Sequence, residues 1–364
     1  MGSKRDRGLV DLRAEDYLPL LQAEPALWDL YTKREEYDAT AHVTSQFYRD
    51  TLNARPLVSQ FLVEKGYSIE YPEGRPFAIC LTHDIDDVNI PATHLGRMAL
   101  QRIRSGDFPG FRDAVLATAG RGRQEVYRNF LAIRRLEDEY GAGSTFFFLA
   151  TDHDIIRFRY RIEDLAGDLG SLADTGAEIG LHGGFSTCGS PEGIRAEKGR
   201  LEKVLGRGVT GYRNHFLRFH VPDSWEYLAG AGFSYDSTLG YNHATGFRNG
   251  MAHPFRPFNL KTGTRTPILE IPLVVMERAY LNHGVTPARA WESIQSLLET
   301  VEGCHGVLTV NWHNTTLAGM PDRVWERMYR KILRYGRDHR AWMAGGAEIA
   351  GFWRGTGYST DSGS

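Results

Sequence analysis

From residue 77 onward the chain alternates between two rhythms. Short apolar runs bounded by turn residues recur at 77–81, 145–150, 178–181, 209–212, 268–275 and 307–312, and stretches with helical spacing separate them. Strands joined in series by helices build parallel βαβ units, and at least six of them favour a barrel or a doubly wound sheet. The expected class is α/β. In such folds the carboxyl ends of the strands converge on one face, where ligands bind.

Nearly every run ends in a His, Asp or Arg. The first leads into Thr82-His83-Asp84-Ile85-Asp86-Asp87, where three carboxylates in four residues repel one another unless a cation is near. A metal or proton-transfer role accounts for that cluster better than a solvated loop or a helix N-cap does. The third run ends at His182-Gly183-Gly184, an imidazole followed by two glycines that leave the backbone open to a ligand. The fourth gives Arg213-Asn214-His215 and the last Asn311-Trp312-His313-Asn314. Singly, each has a structural reading: His182 as a hydrogen-bonded core residue, Arg213 in a surface ion pair, His313 donating to a carbonyl. Together, Asp, His, Arg, His and His at separate strand ends make the composition of a hydrolytic site with one divalent metal.

The rest of the chain carries no comparable cluster. Residues 1–74 are expected to form an N-terminal helical cap, with Tyr17, Leu18, Leu21, Leu27, Leu30 and Tyr31 at helical spacing. The catalytic unit is expected over 75–354. An Arg-rich helical insertion at about 91–139 reads as a solvated helical pair, or else as a positive lip for an anionic substrate. The Gly, Ser and Thr of 355–364 should be disordered. A net charge of −2 lacks the basic excess that nucleic-acid binding needs. No apolar stretch approaches the ~20 residues of a membrane span, and the charged start has no apolar stretch after it, so a cytoplasmic protein is expected. Cys80, Cys188 and Cys304 are far apart, with no CxxC pair, and read as reduced thiols. Oligomeric state is not legible.

Over about residues 77–353 these motifs, in this order, resemble the NodB-type polysaccharide deacetylases, carbohydrate esterase family four. The resemblance implies a distorted (β/α) barrel in which a TFDDG-like motif supplies a base and a metal ligand. It further implies that an HSxxH motif supplies two metal histidines, an Arg motif orients the base, and a late His is the acid. Carried onto this chain, Asp84 would be the base and Asp86 a ligand, with Asp87 competing for the ligand role. His182 would be a ligand, Arg213 the orienting residue and His313 the acid. Ser144-Thr145-Phe146-Phe147-Phe148 is similar to the family's second strand.

One position departs from that pattern: Ser186 stands where the second histidine should be, and serine is a poor ligand for zinc. His215 is the expected replacement, because it lies two residues beyond Arg213 and alternate residues of a strand share a face. Asp236, Arg248 and Trp312 are expected to contact substrate, although Asp236 could equally form a turn. The implied activity is removal of an acyl group, N-acetyl by resemblance, from an amino sugar, polysaccharide or sugar nucleotide. Zinc is the first choice of metal, with cobalt, nickel or iron as alternatives. A non-catalytic carbohydrate-binding relative that has lost its metal is the competing reading. A glycosidase using Asp84 and Asp86 is disfavoured, since residues two apart cannot flank a glycosidic bond.

Overall fold

The structure, a computed structural model, describes residues 10–37, 54–89, 127–152, 160–318 and 323–355. Of the insertion expected at 91–139, a helix at Phe130–Asp138 is described, while residues 91–126 lie outside the described residues. So does 356–364, nearly all of the tail expected to be disordered.

Nine strands form one parallel sheet: β1 (Ala78–Ile85), β2 (Thr145–Leu149), β3 (Glu178–Gly183), β4 (Gly211–Asn214), β5 (Tyr235–Asp236), β6 (Leu269–Glu270), β7 (Val275–Met276), β8 (Val307–Asn311) and β9 (Trp342–Ala344). Their order is β6-β5-β4-β3-β2-β1-β8-β7, and β9 adds to the lower part of β1. The two outermost strands, β6 and β7, are consecutive in the chain. Residues 268–276 therefore run as one extended segment that pairs with β5 through its first half and with β8 through its second. Between them, Ile271 N donates to Asp236 O, and Val274 N donates to Thr309 O. That segment closes the sheet into a distorted barrel.

Strands buried on both faces read as continuous apolar runs, and β2 is the clearest case, with Phe146, Phe147 and Phe148 all fully buried. Helices at Ala166–Ala173, Pro191–Leu205, Asp223–Gly230, Pro287–Gly303 and Val324–Asp338 follow β2, β3, β4, β7 and β8. Two of them begin with side-chain caps: Ser190 and Thr286 accept from Gly193 N and Arg289 N, each with a proline at the first turn.

The N-terminal segment consists of short helices, Leu18–Gln22, Pro25–Thr32 and Leu57–Glu64, with a two-residue strand pairing Val10–Asp11 to Tyr67–Ser68. Leu21, Tyr31, Val58 and Leu62 belong to the same apolar core as the barrel. Ser59 Oγ accepts from Ala252 N, and Tyr71 OH donates to His305 O, both near the start of β8. This segment thus covers the end where the strands begin, opposite the carboxyl ends.

Strand limits differ from expectation in an informative way. β1 runs on through Thr82, His83 and Asp84 to Ile85, because these residues pair with Thr145–Phe148 of β2. Asp236, expected to contact substrate or form a turn, lies with Tyr235 on a barrel strand, and β9 has no signal at three residues.

Candidate active site

Register sets the heights of the polar side chains. His182 on β3 is level with Arg213 on β4, and Asn311 on β8 is level with both Thr82 on β1 and Met276 on β7. Asp84 and Asp86 lie above Thr82, His313 above Asn311, and Glu277 directly above Met276. All therefore reach the same rim.

Asp86, His182 and His215 offer one ligand atom each, mutually within 4.8 Å. Asp86 Oδ1 is 3.3 Å from His182 Nε2 and 3.6 Å from His215 Nε2, and it is a buried atom that receives no hydrogen bond of good geometry. His182 Nδ1 lies 3.0 Å from the Arg213 carbonyl; since a carbonyl only accepts, Nδ1 is the donor there, and Nε2 is the ring nitrogen turned toward Asp86. Burial alone would raise the Asp86 carboxyl, but the imidazoles of His215 and His182 outweigh it and hold it well below the usual range. One carboxylate and two imidazoles, converging on an unsatisfied oxygen, fit a single divalent ion with further coordination positions open.

Asp84 sits beside this cluster, its Oδ2 3.8 Å from His182 Nε2. Arg213 Nη1 donates to Asp84 Oδ1 at 3.0 Å, and Asn311 Nδ2 donates to Asp84 Oδ2 at 2.7 Å. Arg213 is itself fully buried and fixed from four sides. It donates to Thr82 Oγ1, Ser237 O and Ser237 Oγ, and its guanidinium lies 4.7 Å from the centre of the Phe147 ring. Burial raises the Asp84 carboxyl, and the charges of His182, Arg213 and His313 more than reverse that, leaving it ionised and below its ordinary range. Removing one member of such a buried pair typically costs about 3–5 kcal/mol.

On the opposite side His313 directs Nε2 at Asp86 Oδ2, 3.8 Å away, while its Nδ1 and backbone N both donate to Glu277 Oε1 at 2.9 and 3.1 Å. Burial lowers the imidazole, but the Glu277 carboxylate overrides it and raises His313 above its ordinary value. Glu277 and Asn311 were not anticipated. Glu277 ends the apolar run 268–276, so the strand-end reasoning that found the other residues reaches it too.

Other expected residues are placed elsewhere. Asp236 is buried on β5, accepting from Thr238 N and Oγ1 and lying beside the carboxyl of Glu270, its register partner on β6. Arg248 is buried in an ion pair with Glu36 of the N-terminal segment at 2.8 Å and also donates to Gly240 O. Trp312 is fully buried against Trp325 and Tyr329. These three are not brought to the cluster. Neither is Asp87, the competing ligand, which stands outside it; its neighbour in the motif, His83, has both ring nitrogens engaged, by Trp312 O and Glu137 Oε1. Ser186 is exposed. The glycines after His182 serve packing instead of ligand approach, since a Cβ at Gly183 would strike the Tyr212 ring and one at Gly184 would meet Glu197 Oε1 at 2.6 Å. All three cysteines are buried thiols outside any disulfide, and burial pushes them up, Cys304 to about 12.

β4 ends at Asn214, so His215 lies just past the strand and opens a tight turn in which Phe216 (φ 60°) and Leu217 (φ 50°) both adopt the left-handed region. For residues other than glycine this costs about 1–2 kcal/mol each.

No family sequence model and no curated protein matches the chain. Solved structures do. A protein of Mycobacterium smegmatis classed as a polysaccharide deacetylase matches 79% of this chain and 93% of its own length, at 20% identity and a TM-score of 0.53. The PuuE allantoinase matches the same shares at 14% identity and 0.53. A further protein classed as a polysaccharide deacetylase, from Pseudomonas aeruginosa PAO1, matches 78% and 93% at 12% identity and 0.52. The chain has the fold of these proteins, a distorted barrel of the polysaccharide-deacetylase type.

Proposed function

We propose, for a chain with the polysaccharide-deacetylase fold, that it is a metal-dependent hydrolase removing an acyl group, N-acetyl in the first instance, from an amino-sugar substrate. The observation that carries this reading is the flanking of one three-ligand cluster by two differently partnered groups, Asp84 held by Arg213 and Asn311 and His313 held by Glu277, partners that favour a carboxylate on one side and an imidazolium on the other. Pairs of titratable groups whose surroundings push them apart assign base and acid.

Asp86, His182 and His215 would hold the ion, zinc being first choice for a mixed nitrogen and oxygen site. Bound there, a divalent cation supplies Lewis acidity toward the acyl carbonyl and lowers the pKa of water. Asp84 takes the proton of the attacking water on Oδ2, the oxygen turned toward His182, while Arg213 keeps the other oxygen occupied and the carboxylate charged. The new C–O bond forms at the acyl carbon. As the C–N bond breaks, His313 Nε2 delivers a proton to the departing amine and Glu277 stabilises the imidazolium until then. Arg213 and Asn311 fix the angle of the base, so that Asp84 does not swing toward the ligands.

The test is direct. The purified chain should take up about one zinc ion and release acetate from an N-acetylated amino-sugar oligomer, and loss of both in His182→Ala should follow. A metal-free chain that binds such an oligomer without turnover would favour the carbohydrate-binding alternative.

A further inference from the structure

The catalytic reading leaves one feature beside the cluster unexplained. Phe216 follows His215 directly, with ring centroids 4.4 Å apart, and it is 40% exposed. The other large hydrophobic side chains this exposed among the described residues, Leu20, Leu57 and Leu131, are aliphatic. Its neighbour Leu217 turns inward and packs against Leu273 and Met276, which anchors the turn. A glycine at 216 would make that turn without strain, since φ 60° suits glycine and disfavours side chains. The chain instead places an aromatic ring there and leaves it in water.

That ring is also held. Phe185, from the loop after β3, meets it edge-on at 5.6 Å and 90°. Arg218 lays its guanidinium 3.9 Å from the centre of the Phe185 ring and donates to the Phe185 carbonyl. The loop that follows His182 on β3 and the turn that opens at His215 thus fix one apolar face beside the cluster. Strained backbone that presents an exposed ring next to a reacting centre points to a bound group.

We propose that Phe216 is a stacking platform for a pyranose ring of the substrate, with Phe185 and Arg218 holding the platform in place. This rests on the reading of the substrate as an amino sugar. A pyranose has a face of C–H groups made slightly positive by neighbouring oxygens, and the negative face of an aromatic ring complements it. Phe216 would bind and orient the sugar; the proton transfers belong to Asp84 and His313.

The test uses Phe216→Gly and Phe216→Trp in the zinc-loaded full chain, with an N-acetylglucosamine tetrasaccharide as probe. Glycine relieves the left-handed strain, so the melting temperature and zinc content should hold. KM should rise at least about tenfold in Phe216→Gly, equivalent to about 1.4 kcal/mol, with a much smaller change in kcat, and Phe216→Trp should restore it. An unchanged KM in Phe216→Gly overturns the platform and leaves the deacylase reading intact. Should the wild-type chain release no acetate, the deacylase reading fails, and calorimetric binding of the same tetrasaccharide then decides. Affinity weakened about tenfold in Phe216→Gly supports the platform, and equal affinity overturns it.

Discussion

Asp236 and Glu270 face each other across β5 and β6 with both carboxyls fully buried, and Asp236→Asn should expose what that arrangement costs. Burial pushes Asp236 up to about 6, and burial together with the Asp236 charge raises Glu270 well above its ordinary value. The folded chain therefore retains a proton on Asp236 between about pH 4 and 6 that the unfolded chain has already released. Stability falls as pH rises through this window and stays lowered above it. The change from 3.8 to about 6 is some 2 pH units, or on the order of 3 kcal/mol at 1.36 kcal/mol per unit. Asparagine keeps the oxygen that accepts from Thr238 and offers an amide to Glu270, without the charge. Urea unfolding of both proteins from pH 4 to 8 is the assay. The stability difference should be near zero at about pH 4 and grow in favour of the variant to the order of 3 kcal/mol by pH 7. Parallel curves for variant and wild type would refute the argument, and a large rise in KM would return Asp236 to the substrate site.

Three further outcomes concern the cluster. His182→Ala and His215→Ala should each lose zinc on dialysis, measured by metal analysis; full retention in either removes that histidine from the ligand set. Asp84→Asn should keep its metal while turnover drops by about 100-fold or more, whereas metal loss would mean that Asp84 and Asp86 have exchanged roles. Glu277→Gln removes the charge that raises His313, so the acid form is lost at lower pH and the alkaline limb of the rate profile should move down. An alkaline limb that does not move assigns it to another group.

What the sequence discloses depends on how local the cause is. The rule that carboxyl ends of parallel strands gather on one face needs only the order of runs and their last residues. Through it, Asp84, Asp86, His182, Arg213, His215 and His313 were placed together from residues as far apart as 84 and 313. The partners that satisfy a buried charge are not local. Arg248 looked like a substrate contact because Glu36, which neutralises it, lies 212 positions away. Asp236 looked like a loop residue because a two-residue strand has no periodicity to detect. Gly183 and Gly184 looked like room for a ligand, but the space is taken by Tyr212 and Glu197, which only the fold brings there.

The closing segment, residues 268–276, has a consequence for how the chain is made. During synthesis β1 through β5 emerge first, and neither free edge can be covered until this segment and β8 follow. β8 begins about 220 residues after β1 ends, which at ribosomal speeds of roughly 5–20 residues per second leaves an unpaired parallel edge for some 10 to 40 seconds. Such edges template wrong pairings. Slowing translation just before residue 268 should increase aggregation of the nascent chain more than slowing it after residue 311, when the ring is shut and His313 has joined the other site residues.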